Sequence, residues 1–269
     1  MDDLQFGKRN KRGDWTPNDT VQPAPIWRLP FDLKAILHWL PHYFFPWNIL
    51  FALSAVAYWA WVIPPVETLR TIGFGWVLWL YAVNAVCVFL FYGAFELHLY
   101  VLRRQGNRFK YNAKFPSEQK SKAFWFESQV IDSMLRTFLS GVTIWTAVEA
   151  VMLWAYANGY APWLSFAERP WTLALVALAV PIIHEVHFFC VHRLIHTPWL
   201  YKWVHSVHHN SVNPSPWSSL AMHPVEHLLY FGTAFWHLIL PSNPIIMIYQ
   251  MNFAGCLLYT SPSPRDKRQ

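Results

Sequence analysis

Three groups of histidines could do chemistry in this sequence. His192-Arg-Leu-Ile-His196 is a pair at i, i+4. His205-Ser-Val-His208-His209 is a triplet at i, i+3 and i+4. His223-Pro-Val-Glu-His227 is a second i, i+4 pair. The chain has 13 His and ten of them lie between positions 184 and 237, so the enrichment is local. On a helix these spacings stack side chains on one face, and several imidazoles can converge without backbone strain. Neutral imidazole is a good ligand for iron, zinc, copper and nickel. Seven such ligands in three groups exceed the three or four that a single zinc takes. They suit two metal ions a few ångströms apart. A pair of irons can activate O2 and attack an unactivated C–H bond, which no side chain does unaided.

Two carboxylates lie close to these groups. Glu185 falls within about 20° of His192 on a helical wheel, provided one helix carries both. Glu226 sits inside the third group. Either could orient an imidazole N–H from behind, bind metal itself, or be a solvated helix-end residue. His184, His187 and His237 lie in apolar runs with no matching group, and packed core histidines explain them equally well. His38, His42 and His98 read as interfacial. Glu149 interrupts an apolar run, so it must be neutral or paired.

The elements that position these groups are legible in outline. Thr197-Pro198 reads as an N-cap followed by an N1 proline, so one helix ends near His196 and another, carrying the triplet, begins. Residues 210–216, Asn-Ser-Val-Asn-Pro-Ser-Pro, read as loop. Pro224 is placed to be the first helical residue after His223. Upstream, Phe44–Ile63, Ile72–Phe95, Thr137–Tyr160 and Trp171–Val191 are apolar runs of the length that a membrane-spanning helix needs, about 20 residues. Leu228–Leu240 and Ile245–Gly255 are too short to span separately and read as re-entrant, interfacial or one broken span.

Composition agrees. The 269 residues are 54% hydrophobic and 13% charged, against about 25% charged in soluble domains. That argues against a soluble enzyme, a disordered chain and a disulfide scaffold. The net charge of +6 accompanies no groove-reading motif, so no nucleic-acid partner is expected. The three Cys form no Cys-x-x-Cys pair. Residues 1–34 lack the apolar core of a cleavable signal peptide, so an internal helix is expected to do any targeting.

The basic residues fall in two blocks. Lys8, Arg9, Lys11, Arg12, Arg28 and Lys34 precede the first apolar run. Arg103, Arg104, Arg108, Lys110, Lys114, Lys120, Lys122 and Arg136 lie between the second and third. Both blocks are expected in the cytosol, and four spans then return residues 192–227 to the same side. The expected architecture is an all-α integral membrane protein of about four transmembrane helices with a cytosolic histidine-rich cap. Its parts are an N-terminal arm (1–43), the transmembrane helices with the basic loop (44–178), a histidine-motif domain (179–255) and a tail (256–269).

His192-Arg-x-x-His196, Tyr201-Lys-x-x-His205-x-x-His208-His209 and His223-Pro-x-Glu226, in that order, resemble the fatty acid hydroxylase / sterol desaturase superfamily over about residues 180–240. The resemblance implies an integral membrane non-haem di-iron enzyme that uses O2 and reducing equivalents to hydroxylate or desaturate a lipid of sterol or fatty acyl type, in lipid biosynthesis. It implies His192, His196, His205, His208, His209, His223 and His227 as metal ligands. Glu185 stands where the family commonly has Asp, and Phe189-Cys190 replaces a frequent Tyr-Trp pair. This chain has no haem or iron–sulfur motif, so a separate small electron carrier or reductase is expected. The membrane would be the endoplasmic reticulum in a eukaryote or the inner membrane in a bacterium.

The family pattern normally closes with a further His-x-x-His-His group after His-Pro-x-Glu, and nothing after His237 supplies it. Cys256–Asp266 matches the translation of a common transposase-based sequencing adapter. Residues 256–269 are therefore expected to be an artefact of read-through, and the copy an incomplete fragment. Two other classes compete. His223-x-x-Glu226-His227 fits the inverted zinc-protease motif, with five clustered histidines left unexplained. A non-enzymatic metal transporter would instead line its spans with histidine.

Overall fold

The computed structural model describes residues 2–18, 23–108 and 110–257. It is helical almost throughout. The exception is a short antiparallel ribbon of β1 (Gly7–Arg9) and β2 (Trp15–Pro17) in the N-terminal arm. The expected tail, 256–269, lies outside the described residues from position 258 onward.

Asp32 caps α1 (Leu33–Phe44), its side chain accepting from the Ala35 amide at 3.1 Å. Phe45-Pro46 then breaks the chain, and α2 (Trp47–Trp61) continues at a bend of 49°. The first expected span thus corresponds to α2, bent against α1, and α1 includes residues 33–43 of the expected N-terminal arm. A single turn, α3 (Val66–Leu69), leads into α4 (Phe74–Phe95), which runs on as a π-helical stretch to Val101. The basic loop follows. Then come α5 (Gln129–Arg136), a π-helical turn over Thr137–Val142, and α6 (Thr143–Ala157). This third span starts eight residues before the apolar run, because Asp132 and Arg136 neutralise each other at i, i+4 (2.9 Å). The fourth, α7 (Pro170–Ile195), is one continuous helix. The expected division at 178/179 falls within this helix. Among the described residues, three helices are thus long and apolar enough to cross a membrane, or four if the bent pair counts as one span. The protein is an all-α integral membrane protein.

Burial shows how the spans pack. On α4 the buried residues are Trp76, Leu80, Asn84, Val88 and Tyr92, one every fourth position. Its other faces carry exposed Phe74, Trp79, Phe89 and Leu90. A helix apolar all round that buries one narrow stripe turns the remainder to lipid. By contrast α6 is buried on most sides and is the centre of the bundle.

Beyond α7, the chain forms α8 (Pro198–Leu200), a π-helical turn (Tyr201–His205), α9 (Ser206–His209), α10 (Pro224–Phe231) and α11 (Pro244–Leu257). Ile245–Gly255, expected to be re-entrant, interfacial or part of one broken span, packs within the bundle. Here α11 packs against α2, α6 and α7, with Met247, Ile248 and Met251 fully buried. Polar anchors make this possible: Gln250 donates to the Thr233 carbonyl and hydroxyl, and the Tyr92 hydroxyl bonds the Gly255 carbonyl.

The one acid deep in the spans is fully partnered. Asn84 on α4 donates to Glu149 Oε2 on α6 (2.8 Å) and to Thr146 (3.1 Å), while Tyr58 on α2 donates to Asn84 Oδ1 (2.9 Å). This polar knot joins three helices where water cannot substitute. We predict that Glu149→Leu, which strips Asn84 of an acceptor, lowers stability in detergent by about 1–3 kcal/mol, while Glu149→Gln costs less. Thermal unfolding of the two variants beside the unaltered protein checks the order.

Candidate metal centre

The clustered histidines are delivered by the end of α7 and by the short elements that follow it. Helix α7 ends at Ile195 with His196 as its C-cap, so His192 and His196 leave its last turn together. Thr197-Pro198 starts the next helix as expected, with Pro198 at N1. The π-helical turn over Tyr201–His205 then rotates His205 relative to a regular helix before α9 presents His208 and His209. His223 is the N-cap of α10 and Pro224 its first residue, again as expected.

These elements bring four Nε2 atoms into a row. His192 and His196 are separated by 3.1 Å, His196 and His205 by 3.2 Å, and His205 and His209 by 2.9 Å. A ligand atom from each of His192, His196 and His205 lies within 4.8 Å of the other two. A neutral ring nitrogen carries one N–H or one lone pair and serves at most one well-directed hydrogen bond. Yet the Nε2 atoms of His196 and His205 each face two others, so hydrogen bonding alone does not account for the row. Two nitrogens bound at about 2.1 Å to one ion at right angles lie about 3.0 Å apart. The spacing and chemistry of this donor set therefore fit a transition-metal ion.

Glu226 sets the orientation. Its Oε1 accepts from His205 Nδ1–H at 2.8 Å, both side chains being buried. That bond commits the proton to Nδ1 and leaves the Nε2 lone pair facing the row, the arrangement by which carboxylates steer metal-binding histidines. Burial pushes the Glu226 carboxyl up to about 7, an effect opposed by nearby His208. His208 stacks on His205 at a ring separation of 5.7 Å. Tyr201 lies over the outer side, 5.7 Å from the His196 ring and 5.5 Å from His209. Phe188 is 5.2 Å from His192 and 5.9 Å from Tyr230, so aromatic rings adjoin the row toward the bundle.

Other expected site residues stand apart. His223 uses Nδ1 to accept from the Val225 amide (3.2 Å). His227 is fully buried and held at both nitrogens: Nδ1 against Ser140 Oγ (2.8 Å) and Nε2 against the Leu220 carbonyl (3.1 Å). Burial drops its imidazole to about 3, so it is neutral, donating to Leu220 and accepting from Ser140. Gly141, beside Ser140, admits it, since a Cβ there would come 3.1 Å from His227 Nε2. His223 and His227 are thus each engaged locally, while His227 also lies within electrostatic reach of His208 and His223. Glu185 is exposed on α7, about 10 Å along the axis from His192. His187 bonds the Leu229 carbonyl (2.8 Å) and Trp236, and His237 bonds Gln250 (2.8 Å); both are packing residues.

Sequence spacing missed Ser140 and Gly141, which look like ordinary small residues in an apolar run. It also missed the enclosing role of Tyr201, although that residue sits inside the motif. Replacing Glu226 by Ala leaves a buried His205 N–H without an acceptor, and we predict a loss of about 1–3 kcal/mol. Glu226→Gln retains a carbonyl acceptor and should lose less, as read from thermal unfolding in detergent.

The fatty acid hydroxylase family model matches residues 176–261. Among curated proteins the chain is 37% identical over 60 residues to a Delta(7)-sterol 5(6)-desaturase of Gibberella zeae, covering 22% of this chain and 19% of that protein. It is 47% identical over 53 residues to a methylsterol monooxygenase of Arabidopsis thaliana, covering 20% and 19%. To a very-long-chain aldehyde decarbonylase of Oryza sativa subsp. indica it is 43% identical over 53 residues, covering 20% of each. The chain thus spans about a fifth of the length of these relatives. No solved structure matches. The matched residues, 176–261, are the part of the chain that carries the histidine row, and over them it is similar to the fatty acid hydroxylase family.

Proposed function

We propose that the protein is a membrane-bound, O2-dependent di-iron oxidoreductase that hydroxylates or desaturates a sterol or fatty acyl lipid. The observation that carries this reading is the row of Nε2 atoms at 2.9–3.2 Å with Glu226 behind His205. His192, His196, His205 and His209 would hold one ion. A second would draw on His208 and His223, and on His227 once released from Ser140 and Leu220. When bound, the irons supply the oxidising chemistry that imidazole and carboxylate lack.

The chain's own residues do the rest. Glu226 keeps the His205 proton on Nδ1, so the nitrogen facing the site stays a donor of electrons. Tyr201 limits water on the outer side. Phe188, Tyr230 and Phe253, which meet one another or His184 edge to face, offer an apolar approach from the bundle that suits a lipid substrate. Placing both basic segments in the cytosol puts the histidines there too, where a separate electron-carrier protein can reach them, in the endoplasmic reticulum of a eukaryote or the inner membrane of a bacterium. Residues 179–255 would be the catalytic part, following an arm (1–43) and a membrane part (44–178).

The test uses the full-length protein. We expect about two irons per purified chain, and loss of lipid oxidation in expressing cells for His192→Ala and for His208→Ala while both variants still insert in the membrane. Turnover retained by either variant, or a single zinc accompanied by peptidase activity, overturns the reading.

A further inference from the structure

A second pocket lies away from the histidines, between the end of one span and the start of the next. It encloses about 450 Å³, within the range of small-molecule sites. Glu96, Tyr100 and Val101 line it from the π-helical end of α4, and Ser128 and Val130 from the entrance to α5. The hydrocarbon core takes about 20 helical residues, which α4 supplies between Phe74 and Phe95. The pocket therefore sits at head-group depth. Around it Leu97, Val101, Leu102 and Phe126 are large, apolar and more than half or half exposed, as surfaces against acyl chains are.

Its backbone is held under strain. Arg103 (φ 46°), Phe126 (φ 55°) and Glu127 (φ 56°) are the non-glycine residues with positive φ among those described, and all three line this pocket. Left-handed backbone at ordinary residues costs free energy and gathers at ligand sites. The turn is fixed from outside: Asp132 Oδ1 accepts from the Trp125 amide at 3.1 Å, and the Arg136 guanidinium lies 4.4 Å over the Trp125 ring.

The lining charges are of both signs. Arg103 and Lys120 face Glu96, Glu118 and Glu127. Arg103 is carried 4.5 Å over the Phe115 ring, whose face Lys110 also covers at 4.5 Å. Its pairing with Glu118 is loose, at 3.4 Å, and Glu118 is 89% exposed, so a ligand can take its place at little cost. Glu96 Oε2 is buried with no hydrogen-bond partner, which leaves an acceptor waiting for a donor. A purely anionic group would meet three carboxylates against two cations. A ligand with both a phosphate and an ammonium finds groups of opposite sign for each in the lining.

We propose that this pocket binds the phosphoethanolamine head group of a membrane phospholipid, with phosphate at Arg103 and Lys120 and ammonium toward Glu96 and Glu127. A primary ammonium has N–H donors for the Glu96 oxygen, whereas a quaternary one has none. The site lies on other elements than the proposed metal ligands and does not depend on them.

Native mass spectrometry of the full chain in detergent, titrated with defined lipids, tests this. Phosphatidylethanolamine should bind about tenfold more tightly than phosphatidylglycerol or phosphatidylcholine, and Arg103→Ala and Glu96→Gln should each remove most of that preference. Lys122→Ala, on the same loop, and His192→Ala should leave it unchanged. Lys120→Ala replaces Arg103→Ala if the latter fails to fold, as read from its unfolding midpoint. Equal or tighter binding of phosphatidylglycerol, a preference that survives both Arg103→Ala (or Lys120→Ala) and Glu96→Gln, or its loss in His192→Ala, overturns the proposal. Soluble phosphoethanolamine binding as tightly as the lipid overturns it in favour of a free metabolite.

Discussion

The hydrogen bond from His205 Nδ1 to Glu226 is the constraint on which the histidine row depends. It is 2.8 Å long and buried, in surroundings where an unpaired N–H or carboxylate is expensive. It ties the π-helical turn that carries His205 to α10, which starts 19 residues later. Because it decides which His205 nitrogen faces inward, it decides whether His196 and His209 meet a lone pair or a proton. The other members of the row come from the last turn of α7 and from α9, elements too short to hold a geometry alone. The bond supplies what their length does not.

A second constraint is the absence of water from the spans. Every polar group there must find a protein partner. Glu149 therefore draws Asn84, Thr146 and Tyr58 into one knot, and α11 enters the bundle with Gln250 engaged at Thr233 and His237. The same pressure explains His227. A buried histidine with both nitrogens bonded is stable as it stands, so it belongs to the packing between α6 and α10 in this arrangement, whatever role it takes with metal present. Hydrogen-bond economy thus separates His187 and His227, whose two nitrogens each have a partner, from the row, in which nitrogens outnumber the bonds they can make.

Much of this was legible in the sequence. The i, i+4 spacing of His192 and His196, the Thr197-Pro198 restart and the His223-Pro224 cap each express one local rule, and each holds. The apolar runs gave α7 to within a few residues; helix extends past the run as a π-helical stretch at the end of α4, before α2 as the bent α1, and before α6 where Asp132 and Arg136 cancel. The failures are also of one kind. A π-helical turn has no residue signature, so the rotation of His205 and the placing of Ser140 and Gly141 against His227 could not be read. Glu185 looked equivalent to Glu226 by spacing, yet one is exposed and the other is bonded to His205. Direction around a helix does not give height along it, and the 10.5 Å implied by seven residues at about 1.5 Å each separates Glu185 from His192. The burial of Ile245–Gly255 depends on long-range packing against α2 that no local pattern encodes.

Placing a row of imidazoles at the end of a spanning helix solves a problem of solvation. Metal ligands and the carboxylate that orients them are polar and would each need a partner inside hydrocarbon, whereas a lipid carbon to be oxidised does not leave hydrocarbon willingly. At the end of α7 the two conditions are met within one helical turn. His192 and His196 stand on the last turn, next to loop and water, and Phe188 stands one turn back, against Tyr230 and the bundle. Moving the row one turn deeper would strand Glu226 and His208 in the apolar interior, and moving it one turn outward would separate it from those aromatic rings. The position of the cluster along α7 is therefore set by solvation on both sides, and the proposed lipid chemistry rests on that position.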